Sequence, residues 1–192
     1  MVVAALVSLG SACSHDATKE STVKWDLRSP TTARQLGGTD MDATVRGPAG
    51  TQIDVDIQLP GNVVVRDTVT SVSATPADPS GAVADHPVGL LQLIATDSPS
   101  ISALVAAVDN FDHRWHLTAE ARTAWTTLLA DLRSKLADGA VTTKPWPTGP
   151  FAYGLDGAPI KGVKPRLTVR IRDGAFSTFT TLAWDPLTSP PG

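Results

Sequence analysis

The chain has 192 residues; with a short apolar leader set aside, about 180 remain, enough for one ordinary domain with a substantial core. Apolar residues make up 42%, near the globular average, which excludes wholesale disorder. The formal charge of -3 is spread rather than blocked, which excludes the basic footprint of a nucleic-acid binder and a polybasic membrane-binding segment. A single cysteine, Cys13, excludes an intramolecular disulfide and a cysteine-based metal cluster.

In the leader, residues 2–9 are a short apolar run, Gly10, Ser11 and Ala12 are small, and Cys13 follows at once. This resembles the lipobox of bacterial lipoproteins, in which the cysteine receives diacylglycerol and becomes the new N-terminus. The resemblance covers residues 1–13 only. It implies a signal peptide over residues 1–12 and lipidation of Cys13. It also implies a place on the extracytoplasmic face of the cell membrane, with the membrane as the lipid's partner. Gly10 stands where the lipobox usually has Leu, and no Lys or Arg precedes the run, so this reading expects a start upstream of Met1. Gly10 and Ala12 also satisfy the small-x-small rule of an ordinary secretory signal, which would give a secreted protein. A buried N-terminal strand is a third reading. The run is far short of the ~20 residues that a spanning helix needs. Any attachment therefore rests on lipid, and two acyl chains anchor far longer than one. Ser14 to Ser21 is polar and suits a solvated tether.

Thr22 to Arg28 alternates as a half-buried strand, with Val23, Trp25 and Leu27 inward. Ser29-Pro30 reads as a helix cap, with a short turn running to Leu36 and stopped by Gly37-Gly38. Ala43 to Arg46 and Thr51 to Leu59 read as a hairpin across residues 47–50. Asn62 to Ala74 reads as one long strand with a bulge near Asp67. After a loop over 76–87, Val88 to Thr96 is apolar and open to either strand or helix. Ser98-Pro99 caps a first helix over about 98–110, with Ile101, Leu104, Val105 and Val108 on one face. A second helix over about 118–138 buries Ala121, Trp125, Leu128, Leu129, Leu132 and Leu136. Residues 142–159 read as a Pro/Gly loop. Val163 to Arg172 alternates strictly, and Asp173-Gly174 is a hairpin signal leading to a partner strand over 176–184. A Pro-rich tail, 186–192, ends the chain. The order predicts an α+β domain over 22–185, an antiparallel sheet covered on one face by the two helices.

Three clusters carry polar chemistry. Asp112, His113 and His116 have the types for a metal site, with His86 as a distant fourth ligand, but such a set is one ligand short and reads better as a helix connection. Asp54 and Asp56 share a strand face and suit either acid–base work or a solvated edge. Lys164, Arg166, Arg170 and Arg172 form an outward basic row, a docking patch for an acidic partner, with Asp54 and Asp56 as pairing candidates if the strands are neighbours. The aromatic loop with Trp146, Phe151 and Tyr153 is the candidate for ligand contact. Ser21 to Lys24 matches S-x-x-K, but the segment reads as tether and strand, and K-T-G is absent. No nucleotide, zinc-protease or calcium motif is present, and no cofactor or metal is expected. These features point to a non-enzymatic binding domain of the cell envelope, for a protein or a small ligand. A carrier of apolar ligands, with a cavity under Trp125 and Leu129, and an envelope hydrolase using His113 or His116 are the alternatives.

Overall fold

The computed structural model describes residues 22–38, 42–48, 51–77, 86–136, 152–172 and 175–186, the side chains of Lys135 and Arg172 aside. Cys13, Trp146 and Phe151 lie outside the described residues, as do most of the tail and the hairpin residues Asp173 and Gly174.

The chain forms β1 (Thr22–Asp26), β2 (Ala43–Arg46), β3 (Ile53–Leu59), β4 (Val63–Val69), β5 (Ser71–Pro76) and β6 (Val88–Ile94). Then come α1 (Ile101–Trp115), α2 (Ala119–Lys135), β7 (Ala152–Asp156), β8 (Lys164–Arg172) and β9 (Ala175–Ala183). A six-stranded antiparallel sheet has the order β2-β5-β6-β9-β8-β7, and a three-stranded sheet has the order β1-β3-β4 with β1 parallel to β3. The class is α+β, as the order of elements predicts, and the helices contact β7, β8 and β9. The second sheet was not legible.

Several expectations are corrected here. β2 and β3 are not a hairpin: β2 pairs with β5, and β3 lies between β1 and β4 in the other sheet. Thr51 N–H and Oγ1 both donate to the Pro48 carbonyl, at 2.9 and 2.8 Å, turning the chain away from β2. The stretch from Asn62 to Ala74 is two strands rather than one bulged strand. It breaks at Thr70, whose N–H and Oγ1 both donate to the Ile94 carbonyl, at 2.8 and 3.0 Å, and there the chain passes from one sheet to the other. Val88–Ile94 is a strand, paired on both sides by β5 and β9. The turn expected at Ser29 begins later, because Thr32 and Gln35 each accept the other's backbone N–H, a reciprocal cap that starts the Arg34–Leu36 turn. Gly37, at φ 83°, ends it as expected. Part of the expected 142–159 loop is strand β7, so Tyr153 belongs to a sheet edge.

Register explains why one face of the large sheet is buried. Val45, Val72, Leu93, Thr180, Leu167 and Leu155 are cross-strand partners in one row spanning all six strands. Ala43, Ala74, Leu91, Leu182 and Pro165 form the next. These rows join the inner sides of both helices and of β3 in one core. Arg46, Ser71, Ile94, Phe179, Thr168 and Gly154 form a row on the opposite face, where Arg46, Lys164, Arg166 and Arg170 are exposed.

The expected cap of α1 at Ser98 is also corrected. Ser98 exchanges two backbone hydrogen bonds with Phe176, at 2.7 and 2.8 Å, and Ser100 is the cap, its side chain accepting the Ala103 N–H. α1 then runs to Trp115, past its expected end, and absorbs most of the Asp112–His116 cluster. Thr118 caps α2 as expected, accepting the Ala121 N–H. Between the helices, Asp112 accepts two hydrogen bonds from Arg122, at 2.6 and 2.7 Å, and one from the Leu117 N–H at 2.8 Å. His116 turns the chain in a left-handed conformation at φ 51°, and its carbonyl accepts the Ala158 N–H at 2.8 Å. The corner is thereby tied to the end of β7.

Asp112→Ala removes the fork to Arg122 and leaves the half-buried Leu117 N–H unpaired. Urea unfolding is expected to show a loss of about 2 kcal/mol, and Asp112→Asn, which keeps an acceptor for that N–H, a smaller loss.

Candidate functional site

A cleft of about 510 Å³ opens between α1 and the two sheets. Phe111, Trp115 and Leu167 supply buried apolar surface to it. Its polar lining comes from Gln52 before β3, Asp67 and Thr68 on β4, Thr96 after β6, Asn110, His113 and Arg114 on α1, and Thr178 and Thr180 on β9. Arg114 fixes one wall: it reaches from α1 to the Asp67 carboxylate at 3.0 Å and to the Arg66 carbonyl at 2.7 Å. Gln52 fixes another, its Nε2 donating to Thr96 Oγ1 at 2.9 Å.

Thr178 and Thr180 are the unusual members. Strand alternation places Phe176, Thr178, Thr180 and Leu182 on the core face of β9, so two hydroxyls interrupt an apolar row. Thr178 is only 2% exposed, and neither hydroxyl has a hydrogen-bond partner among the described residues. Among the described residues no side-chain oxygen is both fully enclosed and unpaired, so these hydroxyls open onto the cleft rather than into closed core. Neither threonine is among the candidates that residue type suggests, although the phase of β9 carries the signal: once Phe176 and Leu182 are set inward, the two threonines must follow.

The basic row occupies a different place. Lys164, Arg166 and Arg170 project from the open face of the large sheet, joined by Arg46 from the opposite edge. Arg172 lies in register with them on β8. Arg166 lies across Gly154, where a Cβ would collide with the guanidinium, and approaches Asp156 at 3.5 Å. Arg170 sits over the Phe179 ring, 4.7 Å from its centre. Asp54 and Asp56 do not meet this row, because β3 belongs to the other sheet. Asp54 accepts a hydrogen bond from Thr68 at 2.8 Å, and Asp56 faces Arg66 at 3.5 Å.

The remaining candidates are dispersed. Asp112 is engaged by Arg122 and Leu117, which accounts for its place in the cluster without a metal ion. Among the described residues, no three of His, Cys, Asp and Glu gather as a metal would require. His113 and His116 are both exposed, and neither side chain hydrogen-bonds a carboxylate among the described residues. Trp125 is buried in the core, and the hollow beside it is an open groove of about 290 Å³ that also carries Asp109, Asp112 and Arg122. Tyr153 is half-buried on β7 and packs against the core. No described helix is long and apolar enough to cross a membrane.

At the end of β1, Arg28 donates to the Asp26 carboxylate at 2.6 and 2.9 Å, and these bonds hold the Asp26 pKa down at about 2. Stability from such a lowered pKa is present above the ordinary value of 3.8 and is lost as pH falls towards 2. The pair is exposed, so solvent screening leaves it little weight.

The double substitution Thr178→Val and Thr180→Val replaces unpaired hydroxyls with methyl groups of the same shape. It is expected to change unfolding stability by no more than about 0.5 kcal/mol, measured by urea denaturation, because both hydroxyls open onto the cleft, whereas a loss of about 1 kcal/mol or more would show that they are satisfied within the fold. Compared with protein-family models, with curated proteins and with solved structures, the chain shows no significant match.

Proposed function

We propose that the chain is a lipid-anchored, non-enzymatic binding domain of the cell envelope that docks an acidic protein segment on the open face of its large sheet. The address rests on the leader, in which an apolar run and Gly10-Ser11-Ala12 directly precede Cys13, with secretion as the alternative. β1 begins at Thr22, so the tether is short and holds the docking face near the membrane.

The placement of Arg46, Lys164, Arg166 and Arg170 on one solvent-exposed face carries the docking. The chain as a whole is acidic, and elsewhere Arg28, Arg66, Arg114 and Arg122 each face a carboxylate. Arg46, Lys164 and Arg170 have no carboxylate partner among the described residues, so positive charge is left over on this face. Half-exposed Leu90, Ile94 and Phe179 lie among these cations, and Asp42 and Asp156 mark the two margins. Apolar contact at the centre with opposite charge around it is the anatomy of a protein-docking surface.

Fluorescence anisotropy with a labelled oligoglutamate peptide at low ionic strength tests the docking. Lys164→Glu, Arg166→Glu and Arg170→Glu together are expected to weaken binding at least about tenfold, and added salt should weaken the parent in the same direction. Unchanged affinity would contradict the reading. The address is checked by the mass of the mature N-terminus, expected to be a diacylglyceryl Cys13; an unmodified chain beginning at Met1 would contradict both export readings.

A further inference from the structure

We infer that the cleft beneath α1 is a binding site for a small, neutral, polyhydroxylated ligand of monosaccharide size. Its volume of about 510 Å³ falls in the range of small-molecule sites. Thr178 carries the argument furthest. The residue is 2% exposed and lines the cleft, and its hydroxyl, which has no hydrogen-bond partner among the described residues, is not closed off from it. Thr180, partly exposed, lines the cleft two residues on along the same strand face, so two hydroxyls stand where the core row calls for aliphatic residues. A ligand hydroxyl would satisfy both, because a threonine hydroxyl both donates and accepts.

The rest of the lining selects the chemistry. Gln52 uses its Nε2 on Thr96 and keeps its carbonyl oxygen, and the Asn110 amide has no partner among the described residues. These groups bond neutral hydroxyls in either direction. The charges at the rim offset one another, since Asp67 is paired with Arg114 at 3.0 Å. An anion or cation would have to break that pair to draw a counter-charge from it, and His113, the other ionisable side chain of the lining, is exposed, so the lining offers no enclosed charge for an ion. Phe111, Trp115 and Leu167 add buried apolar surface, which suits the C–H faces of a pyranose ring.

This inference does not depend on the docking face, and one experiment separates the two. Saturation-transfer NMR on the full chain is run with glucose, galactose, mannose and N-acetylglucosamine, with inorganic phosphate and dialanine as comparators. At least one saccharide is expected to bind, and the Thr178→Val, Thr180→Val variant to bind it at least about tenfold more weakly while remaining folded. The variant with Lys164, Arg166 and Arg170 reversed to Glu is expected to keep saccharide binding. No transfer to any of the four saccharides, equal binding by the double-valine variant, or stronger binding of phosphate or dialanine would overturn the assignment.

Discussion

The row of Val45, Val72, Leu93, Thr180, Leu167 and Leu155 crosses all six strands, and its burial requires cover along the whole width of the sheet. Each fully buried aliphatic side chain in such a row contributes about 1.5–3 kcal/mol, more than any surface ion pair here. Two helices meet only part of this demand, as they contact β7, β8 and β9. The apolar side of β3 enters the same core. The chain therefore passes between sheets three times, before β2, after β2 and at Thr70, and those passages make the three-stranded sheet.

Both proposed surfaces follow from that arrangement. Where α1 stands beside β4, the Arg114 fork to Asp67 and the Arg66 carbonyl bridges them, and the space beneath becomes the cleft. Thr178 and Thr180 lie under it, in a row that packing alone would fill with Val or Leu. The opposite face of the sheet needs no cover, because alternation has placed Arg46, Lys164, Arg166 and Arg170 there. A single register thus sets which threonines reach the cleft and which cations reach solvent.

Legibility in the sequence varied with how local the determining interaction is. β1, β3, β8 and α2 were readable because alternation or a helical stripe is written in consecutive residues, and Thr118 was readable as a cap. The β8–β9 hairpin followed from Asp173-Gly174, and the register with Arg172 opposite Ala175 agrees with it. The break at Thr70 was not readable: Val and Thr continue on both sides, and the corner is made by the Ile94 carbonyl, 24 residues away. Ser98 looked like a cap because its bond to Phe176 is equally remote. The parallel pairing of β1 with β3 has no local sign at all. Among site residues, the basic row was legible from alternation on β8, but Arg46 was not, since its place on the same face depends on the order of strands. Asp112 and the histidines drew notice by residue type, yet Asp112 serves a corner. Thr178 and Thr180 drew none, because threonine suits any strand and only the phase of β9 reveals them.

Docking of an envelope partner on the open face of the large sheet is proposed above, and phenylglyoxal labelling of arginines, read by mass spectrometry in purified protein and in intact envelopes, tests it. Arg46, Arg166 and Arg170 are predicted to react in the purified protein and to be protected in envelopes, while exposed Arg133 on α2 reacts in both. Equal labelling of all four in the two preparations would contradict docking on this face.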